Sequence, residues 1–199
     1  MAGIAIAAGH TAHPDDTESH RGEWERCRAA QEILHDLLAK AGHQVVVPAQ
    51  AVYELPAPTS LKTRVQRFNA AKADLAVELH LNAGGGRYST VLYWDYTGSE
   101  ALLQGRASQE GRAAASRVTQ MFSAGLPWKT IGARPQSYFG RSLYFLNRTT
   151  MTSIILEPGF KDNATHSALF ASSEGVARYA ALTFAGLSRY LFSAFQDAR

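Results

Sequence analysis

Cysteine is nearly missing from this chain. Cys27 is the only one in 199 residues, so an intrachain disulfide is excluded and folding in a reducing compartment is the simplest expectation. Long apolar runs are missing too: nothing approaches the roughly 18 consecutive apolar residues that mark a membrane-spanning helix. The opening MAGIAIAAGH carries no cationic segment, and its apolar run stops at Ala8, before Gly9 and His10. That is short for a secretory signal and reads as a first strand. Blocks of like charge are also missing. The 20 basic and 17 acidic residues are scattered and leave a net charge of +3. This offers no basic stripe for nucleic acid and is compatible with a polyanionic surface without requiring one.

What is present is a globular composition, 46% hydrophobic and 19% charged, with enough apolar mass for a proper core. Residues 4–8 read as a strand and 10–21 as a polar loop. Residues 23–41 have helical spacing, with Cys27, Ala30, Leu34, Leu37, Leu38 and Ala41 on one stripe and Gly42 as the stop. A short strand follows at 44–47, then a helix capped by Thr59 or Ser60 and running to about 73. Strands are expected at 75–81 and 90–95, and a helix capped by Ser99 reaches to about 123. Residues 125–138 read as a loop, 142–146 and 153–156 as two strands, and 173–195 as a last helix with Val176, Ala180, Phe184, Leu187 and Leu191 in register. Strands alternating with helices predict a single α/β domain over residues 1–199 with a mostly parallel sheet and no separate wall-binding module.

One stretch breaks the pattern. DLAVELHLNAGGG, residues 74–86, begins as a buried strand yet carries Glu78, His80 and Asn82 and ends in three glycines. In open α/β sheets, sites collect beyond the carboxyl ends of the strands. That rule selects Gly9-His10 after the first strand, Glu78, His80 and Asn82 at the third, and Glu157 after the last, with Glu23 opening the first helix. Two imidazoles and a carboxylate are a catalytic zinc set, and a further carboxylate beside them can take a proton from water and pass it to a leaving amine. Residue types and spacing alone leave a satisfied core histidine and a helix-end glutamate as alternatives.

Four segments in order narrow the choice: AAGH at 7–10, GEWERCRAAQEILHDLLAKAGHQV at 22–45, DLAVELHLNAGG at 74–85 and IILEPGFKDNATH at 154–166. Together they resemble the zinc-dependent N-acetylmuramoyl-L-alanine amidases of the amidase type 3 family, most closely the catalytic domains of phage endolysins. The resemblance implies a twisted, mainly parallel sheet of about six strands flanked by helices. It implies one zinc ion on His10, Glu23 and His80, with Glu157 as the catalytic glutamate and Gly159, Phe160 and Asn163 completing its motif. It further implies hydrolysis of the amide joining the lactyl group of N-acetylmuramic acid to L-alanine in peptidoglycan, with neither nucleic acid nor membrane as a partner. The expected setting is a phage or prophage endolysin, made in the cytoplasm without a signal peptide and acting on the wall after release. A bacterial autolysin, a zinc peptidase cutting within the stem peptide, and an inactive peptidoglycan-binding module are the alternatives.

The chain departs from the family in TAHPDDTESH, where His13, Asp15, Asp16 and His20 become rival ligands, and at Pro158. Glu78 shares a strand face with His80; it either accepts an imidazole N–H or pairs with a cation at the rim. Asn82 is expected to bond loop backbone or substrate. Arg134, Tyr138 and Arg141 can reach glycan or peptide carboxylates or merely stabilise their loop. Glu25, the Glu32/His35 pair and His43 read as solvated, His166 as a cap or solvent-facing, Trp94 as packing, and Cys27 as a buried small hydrophobe.

Overall fold

Residues 3–8, GIAIAA, form β1 (Gly3–Ala8) in the computed structural model, buried beyond its first residue. The structure describes residues 1–10, 18–47, 57–95, 101–140 and 142–196. Small and β-branched side chains on both faces mark a strand covered by helices on both sides. The remaining elements are α1 (Glu18–Lys40), β2 (Gln44–Val46), α2 (Ala57–Ala71), β3 (Leu75–Leu79), β4 (Tyr88–Tyr93), α3 (Ala101–Gly125), β5 (Lys129–Pro135), α4 (Tyr144–Arg148), β6 (Thr152–Glu157), α5 (Ala164–Ala171) and α6 (Ser173–Gln196).

The six strands form one sheet in the order β2-β1-β3-β6-β4-β5. The first four in that order are parallel; β4 lies antiparallel to β6, and β5 runs with β4. The expected mostly parallel α/β domain is therefore what the chain forms. Its alternating side chains feed two cores. Ile4, Ile6, Val77, Leu79, Ile154 and Leu156 pack against α1, α3 and α6. Ala5, Ala7, Ala76, Leu92 and Ile155 pack against α2 and α4. Each fully buried Leu or Ile contributes about 1.5–3 kcal/mol.

Five boundaries differ from the sequence reading. α1 begins at Glu18, so Glu23 lies in its second turn rather than opening it. Thr59 and Ser60 fall inside α2, which starts at Ala57, and the expected cap Ser99 lies outside the described residues. The loop expected at 125–138 contains β5, an edge strand in which Gly132 has φ +82° opposite a register shift in β4; such a bulge hides the strand period. The strand expected at 142–146 is instead α4. Both flanks of β6 are already taken by β3 and β4, so Phe145 and Leu146 pack onto the second core as a helical turn. Finally, α5 was not expected. Asn163 caps it, its side chain accepting hydrogen bonds from Thr165 N and His166 N at 3.1 and 3.2 Å.

Candidate metal centre

The register Ala8–Leu79–Leu156 brings the carboxyl ends of β1, β3 and β6 to one edge of the sheet. Beyond that edge the chain turns sharply. Gly9 N donates to Leu79 O at 2.7 Å, and His10 takes φ +61°, a left-handed conformation that L-residues with side chains avoid. Gly9 must be glycine here, because a Cβ would lie 2.1 Å from Cε1 of His80. The His80 ring thus lies directly on the backbone that carries His10. On the other side, α1 is tied to the end of β1 by Gln31, whose Oε1 accepts from Ala8 N at 2.7 Å. That places Glu23, 2% exposed, over the gap between the two histidines.

The three side chains meet. Glu23 Oε2 is 3.3 Å from His10 Nε2, and Oε1 is 3.0 Å from His80 Nδ1. One ligand atom from each residue lies within 4.8 Å of the others. Leu81 N donates to Glu23 Oε1 at 3.0 Å, and Lys161 Nζ is 2.8 Å from Oε2. The second nitrogen of His80, Nε2, is held by Glu78 Oε2 at 3.1 Å. Glu78 is itself buried, and its Oε1 accepts from Arg64 Nη2 at 2.7 Å. It therefore both holds the imidazole and pairs with a cation, but with a cation in the core, not at the rim.

Burial alone would strip the charges from this cluster. It disfavours the His80 cation, yet the hydrogen bonds that its ring donates to Glu23 and Glu78 outweigh it and push the imidazole up to about 10. Burial likewise works against the Glu23 carboxylate, but His10 and His80 hold it far below the usual carboxylate range. Glu78 is lowered against its own burial by Arg64 and then His80. Two buried carboxylates facing two imidazoles call for positive charge between them. An N2O donor set, with one imidazole anchored by a carboxylate on its far nitrogen, fits a zinc ion.

Glu157 ends β6, 8% exposed. The last pair across β3 and β6 is Leu79 and Leu156, so His80 and Glu157 each follow it directly, and His80 N donates to Leu156 O at 3.0 Å. Strand alternation puts Glu157 on the face of Ile155, the same face as Glu78. Its charge, like that of Glu23, reaches the buried Cys27 thiol and Tyr179.

The segment after Glu157 is pinned from several sides. Asn82 pairs with it by backbone, its N donating to Gly159 O and its O accepting from Lys161 N, both at 2.8 Å. The Asn82 side chain bonds Ala83 N. Asp162 Oδ2 accepts from Gly84 N and Gly85 N at 2.7 and 2.9 Å, which gives the glycine run its purpose. His166 is neither a cap nor solvent-facing: it is buried, accepts Phe160 N on Nδ1 at 3.0 Å and stacks on Trp128 at 3.8 Å. Trp128 Nε1 donates to Pro158 O at 2.7 Å.

Other candidates fall away from the cluster. Arg134 sits on β5, which runs opposite to β6, so the strand carries it away from the metal edge; its guanidinium stacks on Tyr138 at 4.8 Å. Arg141, His13, Asp15 and Asp16 lie outside the described residues. His20 stacks on the His10 ring at 4.2 Å instead of joining the donors. Glu25 and Glu32 are exposed, the latter paired with Arg28. His43 is half-buried, with Ala2 N 3.4 Å from its Nδ1, rather than solvated. Trp94 is packed and donates to Asn147 Oδ1 at 3.1 Å, and Cys27 is buried.

Two important residues were missed. Arg64 lies on the apolar stripe of α2 beside Leu61, Val65 and Phe68, and a cation on such a stripe signals a buried anion opposite. Lys161 sits between the motif residues Phe160 and Asn163 and gives no signal by spacing. Among the described residues no helix is long and apolar enough to cross a membrane.

No curated protein matches the sequence. Among solved structures, the amidase AmiC2 of Nostoc punctiforme superposes with a TM-score of 0.76 at 21% identity, over 96% of this chain and 97% of that one. The catalytic domain of the CD27L endolysin targeting Clostridia difficile gives 0.70 at 24% identity, over 95% and 98%. The CwlV catalytic domain from Bacillus (Paenibacillus) polymyxa gives 0.75 at 22% identity, over 96% and 99%. These likenesses establish the fold. The family model for N-acetylmuramoyl-L-alanine amidases matches residues 4–189, and the chain belongs to that family.

Proposed function

We propose that the protein is a peptidoglycan hydrolase that cleaves the amide between N-acetylmuramic acid and L-alanine, with one zinc ion held by His10, Glu23 and His80. The observation that carries this reading is the convergence of those three donors within 4.8 Å at the edge where Glu157 ends the neighbouring strand. When bound, zinc supplies Lewis acidity, activating water and polarising the scissile carbonyl.

The chain's own residues do the rest. Glu157 takes the proton from the attacking water as oxygen adds to the carbonyl carbon. It returns that proton to the amide nitrogen as the carbon–nitrogen bond breaks, leaving a lactyl carboxylate and a free amine. Glu78 fixes the His80 ring through Nε2, and Gly9 leaves room for the ring face. The Asn82, Asp162, Trp128 and His166 contacts keep the Pro158–Asn163 segment, and with it Glu157, against the β3 edge.

Two variants test the roles. Glu157→Gln should retain zinc and lose activity by about 10²–10⁴-fold, whereas His80→Ala should lose both. A Glu157→Gln protein that digests purified wall at the parent rate removes Glu157 from the mechanism. Mass spectrometry of digested muropeptides separates the alternatives: free glycan with intact peptide supports the amidase, shortened peptide a peptidase, and no product a binding module.

Within the family we favour an endolysin of a phage or prophage, made in the cytoplasm and acting on the wall after release. A single buried cysteine suits folding in a reducing compartment, and the CD27L endolysin domain shares the fold. Lysis of outer-membrane-stripped cells from outside, and rapid lysis of a host when the protein is co-expressed with a membrane-permeabilising protein, is the expected behaviour. Slow turnover confined to dividing or sporulating cells would favour an autolysin.

A further inference from the structure

We propose that Arg64 is the positioning residue of the metal centre: its single guanidinium, buried behind the site, sets both imidazoles at once. The inference rests on the zinc reading above.

The guanidinium has two separate engagements, each leading to a different histidine. Nη1 donates to the main-chain oxygen of His10 at 2.9 Å, and Nη2 donates to Glu78 Oε1 at 2.7 Å. The other oxygen of Glu78 is 3.1 Å from His80 Nε2. Planar geometry fixes the angle between the two donors, so the placement of one imidazole is tied to that of the other. His10 needs such a tie. Its φ of +61° lies in the left-handed region that few residues with a side chain occupy, and its side chain remains partly exposed. The bond to its carbonyl holds that turn closed from the α2 side, while the Gly9–Leu79 bond holds it from the sheet.

Stability is a poor explanation for this arrangement. Arg64 and Glu78 are 2% and 3% exposed, and withdrawing both charges from water consumes most of what their attraction returns. Leu61, Val65 and Phe68 already fasten α2 to the sheet, and an apolar pair at 64 and 78 would do so as well. What an apolar pair cannot do is point two hydrogen bonds at two ligands. A lysine at 64 would keep the charge but offers a compact ammonium in place of the fork, so it holds one partner well and loses the other.

The test uses the whole chain and Co2+ as the probe, since its visible absorption reports ligand geometry. Three proteins are compared for melting temperature, Co2+ affinity and absorption spectrum: the wild type, Arg64→Lys, and the charge-neutral double variant Arg64→Met with Glu78→Gln. The double variant leaves no unpaired buried charge and keeps an amide oxygen on His80, so it should fold even if the single neutral variant does not. Arg64→Lys, which leaves Glu78 in place, is expected to melt close to the wild type, and the double variant, which loses the Glu78 carboxylate on His80, to melt below it; both should bind Co2+ at least about tenfold more weakly and show an altered spectrum in the visible region. Wild-type affinity and spectrum in both variants would overturn the role of Arg64 and leave the zinc reading standing. A wild-type protein that takes up no Co2+ would overturn the zinc reading itself, and this inference with it.

Discussion

His80 is held on three sides: Glu23 at Nδ1, Glu78 at Nε2 and the bare backbone of Gly9 against its face. With its pKa pushed up to about 10, the ring is cationic at neutral pH in the metal-free protein. Metal binding must therefore expel a proton, and affinity should fall as pH is lowered. Calorimetry in buffers of different ionisation enthalpy would show proton release near pH 7; a buffer-independent heat contradicts it. The same shift sets the stability of the metal-free form. A raised pKa contributes stability that is complete below the ordinary value of 6.5 and is lost as pH rises through about 10. Glu23, lowered from 4.5, contributes above that value and loses its contribution as pH falls. The melting temperature of the metal-free protein should thus decline between pH 6.5 and 10, and His80→Gln should abolish that slope. Gly9→Ala acts at the same place by contact: a Cβ 2.1 Å from Cε1 must push the ring off its partners. The expected cost is about 1–3 kcal/mol by denaturant unfolding, together with weakened metal binding.

Elements were legible in the sequence where apolar period and length agreed. Cys27, Ala30, Leu34 and Leu38 of α1 and Val176, Ala180, Leu187 and Leu191 of α6 are buried as their spacing dictates, while Leu37 and Phe184 are half-buried and Ala41, past the end of α1, is exposed. Short apolar pieces were not legible. SLYFL, residues 142–146, has no period that separates a strand from a helical turn, and the decision rests with the filled edges of β6. β5 was hidden because Gly132 and Pro135 mimic a loop, and only the sheet reveals that its direction takes Arg134 away from the metal edge. α5 did have a signal: Asn163 followed by eight residues without a breaker. Its cap makes a prediction at this scale. Asn163→Ala removes the two capping hydrogen bonds and the one that Nδ2 donates to Gly86 O at 3.3 Å, and should cost about 1 kcal/mol or somewhat more, read as a lowered urea midpoint, whereas Asn163→Asp, which keeps the cap but not that donor, should recover part of the loss. Equal midpoints for all three proteins would show that the cap does not hold α5.

Across the whole molecule, His10 and His80 follow β1 and β3, Glu157 ends β6 and Glu23 lies on α1, elements that are distant in sequence. The rule that sites gather beyond the carboxyl ends of parallel strands brought His10, Glu78, His80, Asn82 and Glu157 forward together, because it depends on topology and not on local spacing; the resemblance to the amidases was needed to single out His10, Glu23, His80 and Glu157. What sequence could not supply was the layer beneath. Arg64 and Glu78 are an unremarkable pair until β3 and α2 are packed face to face, and Lys161 reaches Glu23 only because the β6 loop folds back over α1. The most direct test of the account is anomalous diffraction at the zinc absorption edge, from crystals of the wild-type protein grown with zinc. The account predicts one strong peak bonded to His10, Glu23 and His80, with the Glu157 carboxylate facing it. A peak on other residues, or none at these three, would contradict it.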